Sequence, residues 1–112
     1  MKTDQNLKVF GTVLRTRVLT TVALTGETFA AEVARLTGNR LFPVQRVLDS
    51  LEREALVVSR KSGVERRFTL NPRFFARSEL RALLLRLGEQ DRQLQLALAG
   101  RRTRPRRKGK PL

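Results

Sequence analysis

Arginine and lysine dominate the side chains of this sequence that could do chemistry. The 112 residues include 24 Lys plus Arg against 10 Asp plus Glu, a formal net charge of +14, and they include no Cys and no His. The sequence therefore lacks thiolates, the commonest metal ligand and the usual general base near neutral pH. It also has no P-loop, nucleophile elbow or glycine-rich fingerprint. These features predict a protein that is not an enzyme, that holds no metal or other cofactor, and that binds an anionic partner.

Half of the net charge lies near the C-terminus. Residues 101–110 have no acid and no apolar periodicity, and they contain Pro105 and Gly109. Residues 100–112 are therefore predicted to form a disordered tail that contacts nucleic acid phosphates without sequence preference. The competing interpretation is a solubilising extension. The basic residues of the tail are Arg101, Arg102, Arg104, Arg106, Arg107, Lys108 and Lys110.

Three helices are predicted in the first half of the chain. Apolar residues recur at three- and four-residue spacing over residues 7–24, which is typical of an amphipathic helix. Thr28 can cap a short second helix that ends at Gly38, and a third helix follows a tight turn and runs to about residue 54. The residues that mark the buried faces of the second and third helices are Phe29, Val33, Leu36, Val44, Val47, Leu48 and Leu51.

A charged β-hairpin is predicted next. Residues 56–61 and 66–70 read as short strands, with Val58, Phe68 and Leu70 facing the helices. Four cations flank the turn, and like charges so close together favour an anionic partner over a merely solvated surface. These cations are Arg60, Lys61, Arg66 and Arg67, with only Glu65 to offset them.

A last helix is predicted over residues 78–99, capped by Ser78. Its leucines repeat in steps of three and four, which fits either a lid on the protein's own core or a coiled-coil seam with a second copy. We favour the seam, in which Asp91 either opens the seam or pairs with an arginine of the second copy, such as Arg92. The predicted dimer interface comprises Leu80, Leu84, Leu87, Asp91, Leu94 and Leu98.

The order of these elements resembles the winged helix-turn-helix of bacterial ArsR-like regulators over about residues 10–72. The motifs that carry the resemblance are Phe10-Gly11, Arg15-Thr16-Arg17-Val18-Leu19, Glu32-Val33-Ala34 with Gly38, residues 44–51, and Leu56-Val57. The founding members of that family sense metals through cysteines in the helix that matches residues 32–38. Because this sequence has no Cys or His, metal sensing is not carried over.

The resemblance implies that the third helix enters the major groove of DNA and that the hairpin lies along the backbone. Arginine commonly reads guanine and glutamine can read adenine, while Phe42 can either touch a thymine methyl group or pack back on the body. The predicted base contacts are Arg40, Phe42, Pro43, Gln45 and Arg46, and the predicted backbone contacts are Arg53, Arg60, Lys61, Arg66 and Arg67. Of Arg15 and Arg17 on the first helix, one is expected to be structural and to pair with an acid such as Glu52.

The fold class predicted is mainly α with a small β-hairpin: a winged helix-turn-helix DNA-binding domain at residues 1–77, a C-terminal dimerisation helix at 78–99 and a tail at 100–112. The function predicted is a sequence-specific transcriptional regulator that binds double-stranded DNA, most simply as a homodimeric repressor. The alternative is a phage- or plasmid-type architectural DNA-binding or adaptor factor. No apolar run is long enough to span a membrane, so a cytoplasmic, nucleoid-associated protein is expected. We expect Phe74 and Phe75 to attach the last helix to the body. The alternative is that they contact an unknown protein partner.

Overall fold

The computed structural model describes the backbone of residues 8–109 and the side chains of residues 8–100. Within this part, the chain forms five helices and a three-stranded antiparallel sheet with strand order β1-β3-β2. The arrangement is compatible with a winged helix-turn-helix. In chain order the elements are α1 (Val13–Thr25), β1 (Thr28–Phe29), α2 (Ala30–Thr37), α3 (Leu41–Arg53), β2 (Val57–Ser62), β3 (Glu65–Leu70), α4 (Arg77–Glu89) and α5 (Arg92–Gly109).

Helix α1 forms the centre of the core. Val18, Leu19 and Val22 are fully buried, and the helix packs against α2, α3, α4 and β3. Its first turn begins at Val13, later than the predicted residue 7, because Thr12 has an extended backbone and its hydroxyl accepts a hydrogen bond from the Arg15 N–H. This N-cap fixes where the helix starts.

The segment before α2 is a strand, so the prediction that Thr28 caps the helix was wrong. Thr28 and Phe29 pair with Phe68 and Arg67 of β3, which adds a third strand to the predicted hairpin. The buried Thr28 hydroxyl donates to Glu32 Oε1 at 2.6 Å. Helix α2 then ends where predicted, at Gly38, whose left-handed backbone (φ 73°) suits a residue without a side chain.

The hairpin of β2 and β3 forms as predicted, with Gly63 and Val64 in the turn between the strands. Its faces differ from the prediction at one position: Val57, opposite Leu70, is fully buried, while Val58 is 37% exposed. Alternate residues of a strand point to opposite faces, so only one of these neighbouring valines can reach the core. We call residues 57–70 the wing.

The predicted coiled-coil helix is instead two helices that pack on the protein's own core. The chain turns at Gln90 and Asp91 between α4 and α5, and Gly88 lies so close to α1 that a β-carbon there would sit 2.9 Å from Leu24. The predicted dimer seam is therefore wrong, and the interpretation of this region as a lid on the protein's own core is confirmed. Burial of each leucine stabilises the fold by about 1.5–3 kcal/mol. All six predicted seam residues are buried within the single chain: Leu80, Leu84, Leu87, Asp91, Leu94 and Leu98.

Two further expectations about the C-terminal part change. Helix α4 begins at Arg77 with Ala76 as its N-cap residue, in place of the predicted Ser78. The backbone of α5 stays helical to Gly109, although disorder was predicted from residue 100. A lack of apolar periodicity indicates only that no face of the segment is buried. The segment can still be helical, because arginine and lysine are good helix formers. The predicted phosphate-binding side chains from Arg101 to Lys110 lie outside the described side chains, as do residues 110–112 altogether.

Across residues 8–109, none of the helices is both long and apolar enough to cross a membrane.

Candidate nucleic-acid interface

Helix α3 presents an exposed face to solvent because its opposite face is anchored in the core. Val44, Leu48 and Leu51 are fully buried, and Val47 is partly buried against them. The predicted base-contact residues lie together on the exposed side or at its start, except that Pro43 is half-buried. We call this surface the outer face of α3, and its exposed members are Arg40, Phe42, Gln45, Arg46, Asp49 and Arg53.

Phe42 is 65% exposed, so the interpretation that it packs back on the body was wrong. The Arg46 guanidinium lies 5.6 Å from the centre of the Phe42 ring, one helical turn away. A cation at this distance is attracted by the electrons of the ring face. The two side chains therefore form a joint aromatic and cationic surface at the start of α3.

Like charges face each other across the wing. In the register of β2 and β3, Arg60 lies opposite Arg67 and Lys61 lies opposite Arg66. Since neighbouring residues of a strand point to opposite faces, each face of the wing carries one pair of cations. Directly opposed like charges destabilise a sheet, so this arrangement is costly without acids or an anionic ligand nearby.

Acids from three parts of the chain, the loop before β1, helix α3 and strand β3, offset three of the wing cations, so the prediction that Glu65 alone does so was wrong. Arg66 pairs with Glu52 of α3 at 2.8 Å, Arg60 pairs with Glu27 at 2.8 Å, and Arg67 pairs with Glu65 at 2.9 Å. Exposed ion pairs of this kind contribute about 0–1 kcal/mol each. The arginines can therefore exchange these acids for another anion at little cost. Within residues 8–100 the cations of this surface that form no ion pair are Arg40, Arg46, Arg53 and Lys61.

Glu52 also ties the wing to α3. Its Oε2 accepts a hydrogen bond from the Ser59 hydroxyl at 2.7 Å, while its Oε1 accepts one from Arg66. Sequence reasoning assigned Glu52 to an arginine of the first helix. The acid that Arg15 contacts is Glu54, together with the Ser50 hydroxyl at 2.8 Å, so Arg15 fixes α1 to α3.

Arg17 is structural as well. Its Nε donates to Asp91 Oδ2 at 2.6 Å and its Nη1 donates to the Thr37 carbonyl at 3.0 Å. Asp91 is 6% exposed, and its Oδ1 accepts a hydrogen bond from the Leu94 N–H at the start of α5. The predicted pairing of Asp91 with Arg92 of a second copy is replaced by this pair within the chain.

A groove of about 450 Å³ separates the start of α3 from the wing, and the sequence did not predict it. Phe29, which lines the groove, belongs to β1. A strand of two residues leaves no periodic signal in the sequence, so its position beside the wing could not be predicted. Apolar residues lining the groove are Phe29, Ala30, Ala31, Leu41, Phe42, Leu48, Val64 and Phe68, and polar ones are Gln45, Arg46, Asp49, Glu65 and Arg66. Two arginines of the wing also stack near phenylalanines of this lining, Arg67 at 4.8 Å from Phe29 and Arg66 at 5.5 Å from Phe68.

Among the described residues, no three acidic side chains lie close enough together to hold a metal ion.

Comparison of the chain with models of known protein families, with curated proteins and with solved structures found no significant match. The resemblance to ArsR-like regulators therefore rests on the motifs within residues 10–72.

Proposed function

We propose that the protein is a transcriptional regulator that binds double-stranded DNA with sequence preference, as a homodimer and most simply as a repressor, on the bacterial nucleoid. The observation that carries the proposal is the outer face of α3. Arg40 at the start of the helix and Gln45 and Arg46 on it are exposed, and within residues 8–100 the two arginines form no ion pair. The other face of the helix is buried in the core. A rigid helix that presents arginine and glutamine side chains suits the donor and acceptor pattern of the major groove.

The wing supports the same proposal. One of its opposed cations, Arg66, is joined to α3 through Glu52, and this contact holds the wing beside α3. We expect both surfaces to meet one duplex together. Phosphates placed between Arg60 and Arg67, or between Lys61 and Arg66, would relieve the repulsion within each pair. Arg53 at the end of α3 adds a further unpaired cation for the backbone.

A homodimer places two α3 helices in successive major grooves. Because the predicted leucine seam is buried, the second copy must contact other residues. The exposed leucines of the C-terminal helices are candidates, with Leu83 on α4 43% exposed and Leu96 on α5 64% exposed.

The test is a selection of bound duplexes from a random pool at near-physiological salt. Enrichment of an inverted repeat with half-sites about 10 base pairs apart would support a dimeric regulator, and a single enriched half-site would contradict the dimer. A pool that stays unenriched despite binding would overturn sequence preference and would favour the architectural or adaptor alternative.

Three variants refine the test. Arg46→Ala is expected to relax the preference at one base pair and to weaken binding about 5- to 100-fold, the range of one good bidentate contact. Lys61→Ala should weaken all sequences evenly. Arg86→Ala is the matched control, because Arg86 is an exposed arginine of α4, outside α3 and the wing, that pairs with Glu89. Unchanged duplex affinity in both Arg46→Ala and Lys61→Ala would contradict the proposed interface.

A further inference from the structure

The groove between α3 and the wing has a lining that duplex recognition does not explain. A phosphate would meet the carboxylates of Asp49 and Glu65 and several apolar side chains there. An anion beside these two carboxylates would be repelled by both of them. The phosphates of a nucleic acid are therefore better placed against Arg46 and Arg66, the two cations of the lining.

The interior of the groove suits a flat ligand with apolar faces and polar edges. Phe42 offers a largely exposed ring backed by Arg46, a combination on which nucleobases stack. Gln45 and Asp49 lie four residues apart on α3, so they share a face and both line the groove. Their amide and carboxylate groups can bond the amino and carbonyl groups at the edge of a base, and an aspartate accepts from the amino group of cytosine.

In a duplex the faces of the bases are stacked on each other and only their edges are open to a protein. An unpaired base presents its faces as well, which is why single strands are recognised by stacking on aromatic rings. We propose that the α3–wing groove is a binding site for single-stranded nucleic acid, in which one unpaired base stacks on Phe42 while Gln45 and Asp49 bond its edge and Arg46 and Arg66 hold the flanking phosphates. This activity goes beyond duplex recognition and does not depend on it.

Charge and volume support this occupant. The net charge of +14 favours a polyanion over an uncharged peptide. The volume of about 450 Å³ lies within the range of roughly 300–1,000 Å³ found for small-molecule sites. An apolar side chain of a partner protein would make no use of the polar groups of Gln45 and Asp49 in the lining.

The absence of tryptophan from the sequence allows a direct test. In the full-length Phe42→Trp variant, the single tryptophan is expected to be quenched on addition of a 12-nucleotide deoxycytidine strand. It should not be quenched by an abasic strand of the same length and charge. Phe75→Trp is the matched control, since Phe75 is 94% exposed and does not line the groove. Equal quenching by the abasic strand, or equal quenching of the control variant, would overturn the proposal.

Affinity provides a second measurement, by fluorescence anisotropy of a labelled deoxycytidine strand. Phe42→Ala should weaken binding at least about fivefold, because stacking on one ring accounts for that much or more. Phe42→Leu, which keeps an apolar side chain, should weaken it nearly as much, while Phe75→Ala should change it less than about twofold. Unchanged affinity of Phe42→Ala would overturn the proposal, as would full binding by Phe42→Leu.

The two proposals fail separately. If the random duplex pool yields a preferred sequence but the abasic strand binds as well as the deoxycytidine strand, only the single-strand site is lost. If base-dependent quenching is seen and the duplex pool stays unenriched, only the sequence-specific regulator is lost.

Discussion

Ala55 is the clearest case of a residue whose type and backbone disagree. It has a φ of 65° at the end of α3, where the Ala55 N–H bonds to the Glu52 carbonyl and the Leu56 N–H bonds to the Leu51 carbonyl. This pair of bonds defines a Schellman motif, in which glycine is the usual residue because a β-carbon is disfavoured at positive φ. Replacement by glycine should therefore relieve strain, and since Ala55 is exposed it should sacrifice no packing.

We expect Ala55→Gly to raise the free energy of unfolding by about 0.5–1 kcal/mol, measured by urea denaturation. Ala82→Gly is the control, since Ala82 is an exposed residue inside α4 with ordinary helical geometry. There the same substitution should destabilise by about 1 kcal/mol. Destabilisation by both variants would show that the backbone at Ala55 is not strained.

The two arginines of α1 illustrate what a sequence withholds at the scale of single residues. Arg15 and Arg17 are two positions apart and carry the same charge, yet Arg15 contacts Ser50 and Glu54 while Arg17 contacts Asp91. Residues two positions apart on a helix point in different directions. Which acid lies near each of them depends on how distant elements pack against the helix. One structural arginine was predicted, whereas the structure uses both.

At the scale of elements, periodicity predicted α2, α3 and the β2–β3 hairpin well, because each has an apolar face that must be buried. It failed where two arrangements share one pattern. The leucines of α4 and α5 fit a heptad whether the helices cover their own core or a second copy. Gly88 and Asp91 carried the missing information, since a glycine permits the close approach to Leu24 and an aspartate caps the next helix.

The pair of Arg17 and Asp91 holds this junction of α4 and α5 against α1. Asp91→Asn would keep the acceptor oxygen that caps α5 but would remove the carboxylate partner of Arg17, whose side chain is 14% exposed. We expect a loss of about 3 kcal/mol in the free energy of unfolding, because breaking a buried ion pair from one side is strongly unfavourable. The measurement is urea denaturation at neutral pH.

Two further variants make this result interpretable. The double variant Arg17→Met with Asp91→Asn removes both charges and should recover much of the loss. Glu89→Gln removes an exposed ion pair with Arg86 and should change stability by less than about 1 kcal/mol. A loss in Asp91→Asn no larger than that of Glu89→Gln would show that the pair contributes little.

The candidate site was predictable only as far as it depends on helix and strand faces. Arg40, Gln45 and Arg46 were assigned to the outer face of α3 from the spacing of the buried valines and leucines, and they lie there. The groove beside them depends on β1, and two residues are too few for a periodic pattern. The ion pairs of Arg60 and Arg66 use Glu27 and Glu52, which lie outside the wing, so the sequence of the hairpin alone could not predict them.

At the scale of the whole molecule, charge is divided between a folded body and a basic C-terminal end. The last buried residue in the described side chains is Leu98, and removal of residues 101–112 takes away seven cations. If these cations bind phosphates, the truncated protein should bind duplex DNA more weakly at low salt. Its slope of log affinity against log salt should also become shallower, by about 0.9 for each phosphate that the truncated protein no longer neutralises. The sequence preference should be kept, because base reading belongs to α3.

Removal of residues 111 and 112 alone is the control, since it changes no side-chain charge. Fluorescence anisotropy titrations at several salt concentrations give the slopes, and thermal unfolding verifies that the body remains folded. An unchanged slope after removal of residues 101–112 would mean that this end of the chain does not touch DNA. Disappearance of the sequence preference would mean that it takes part in base reading, which the placement of Arg40, Gln45 and Arg46 on α3 does not require.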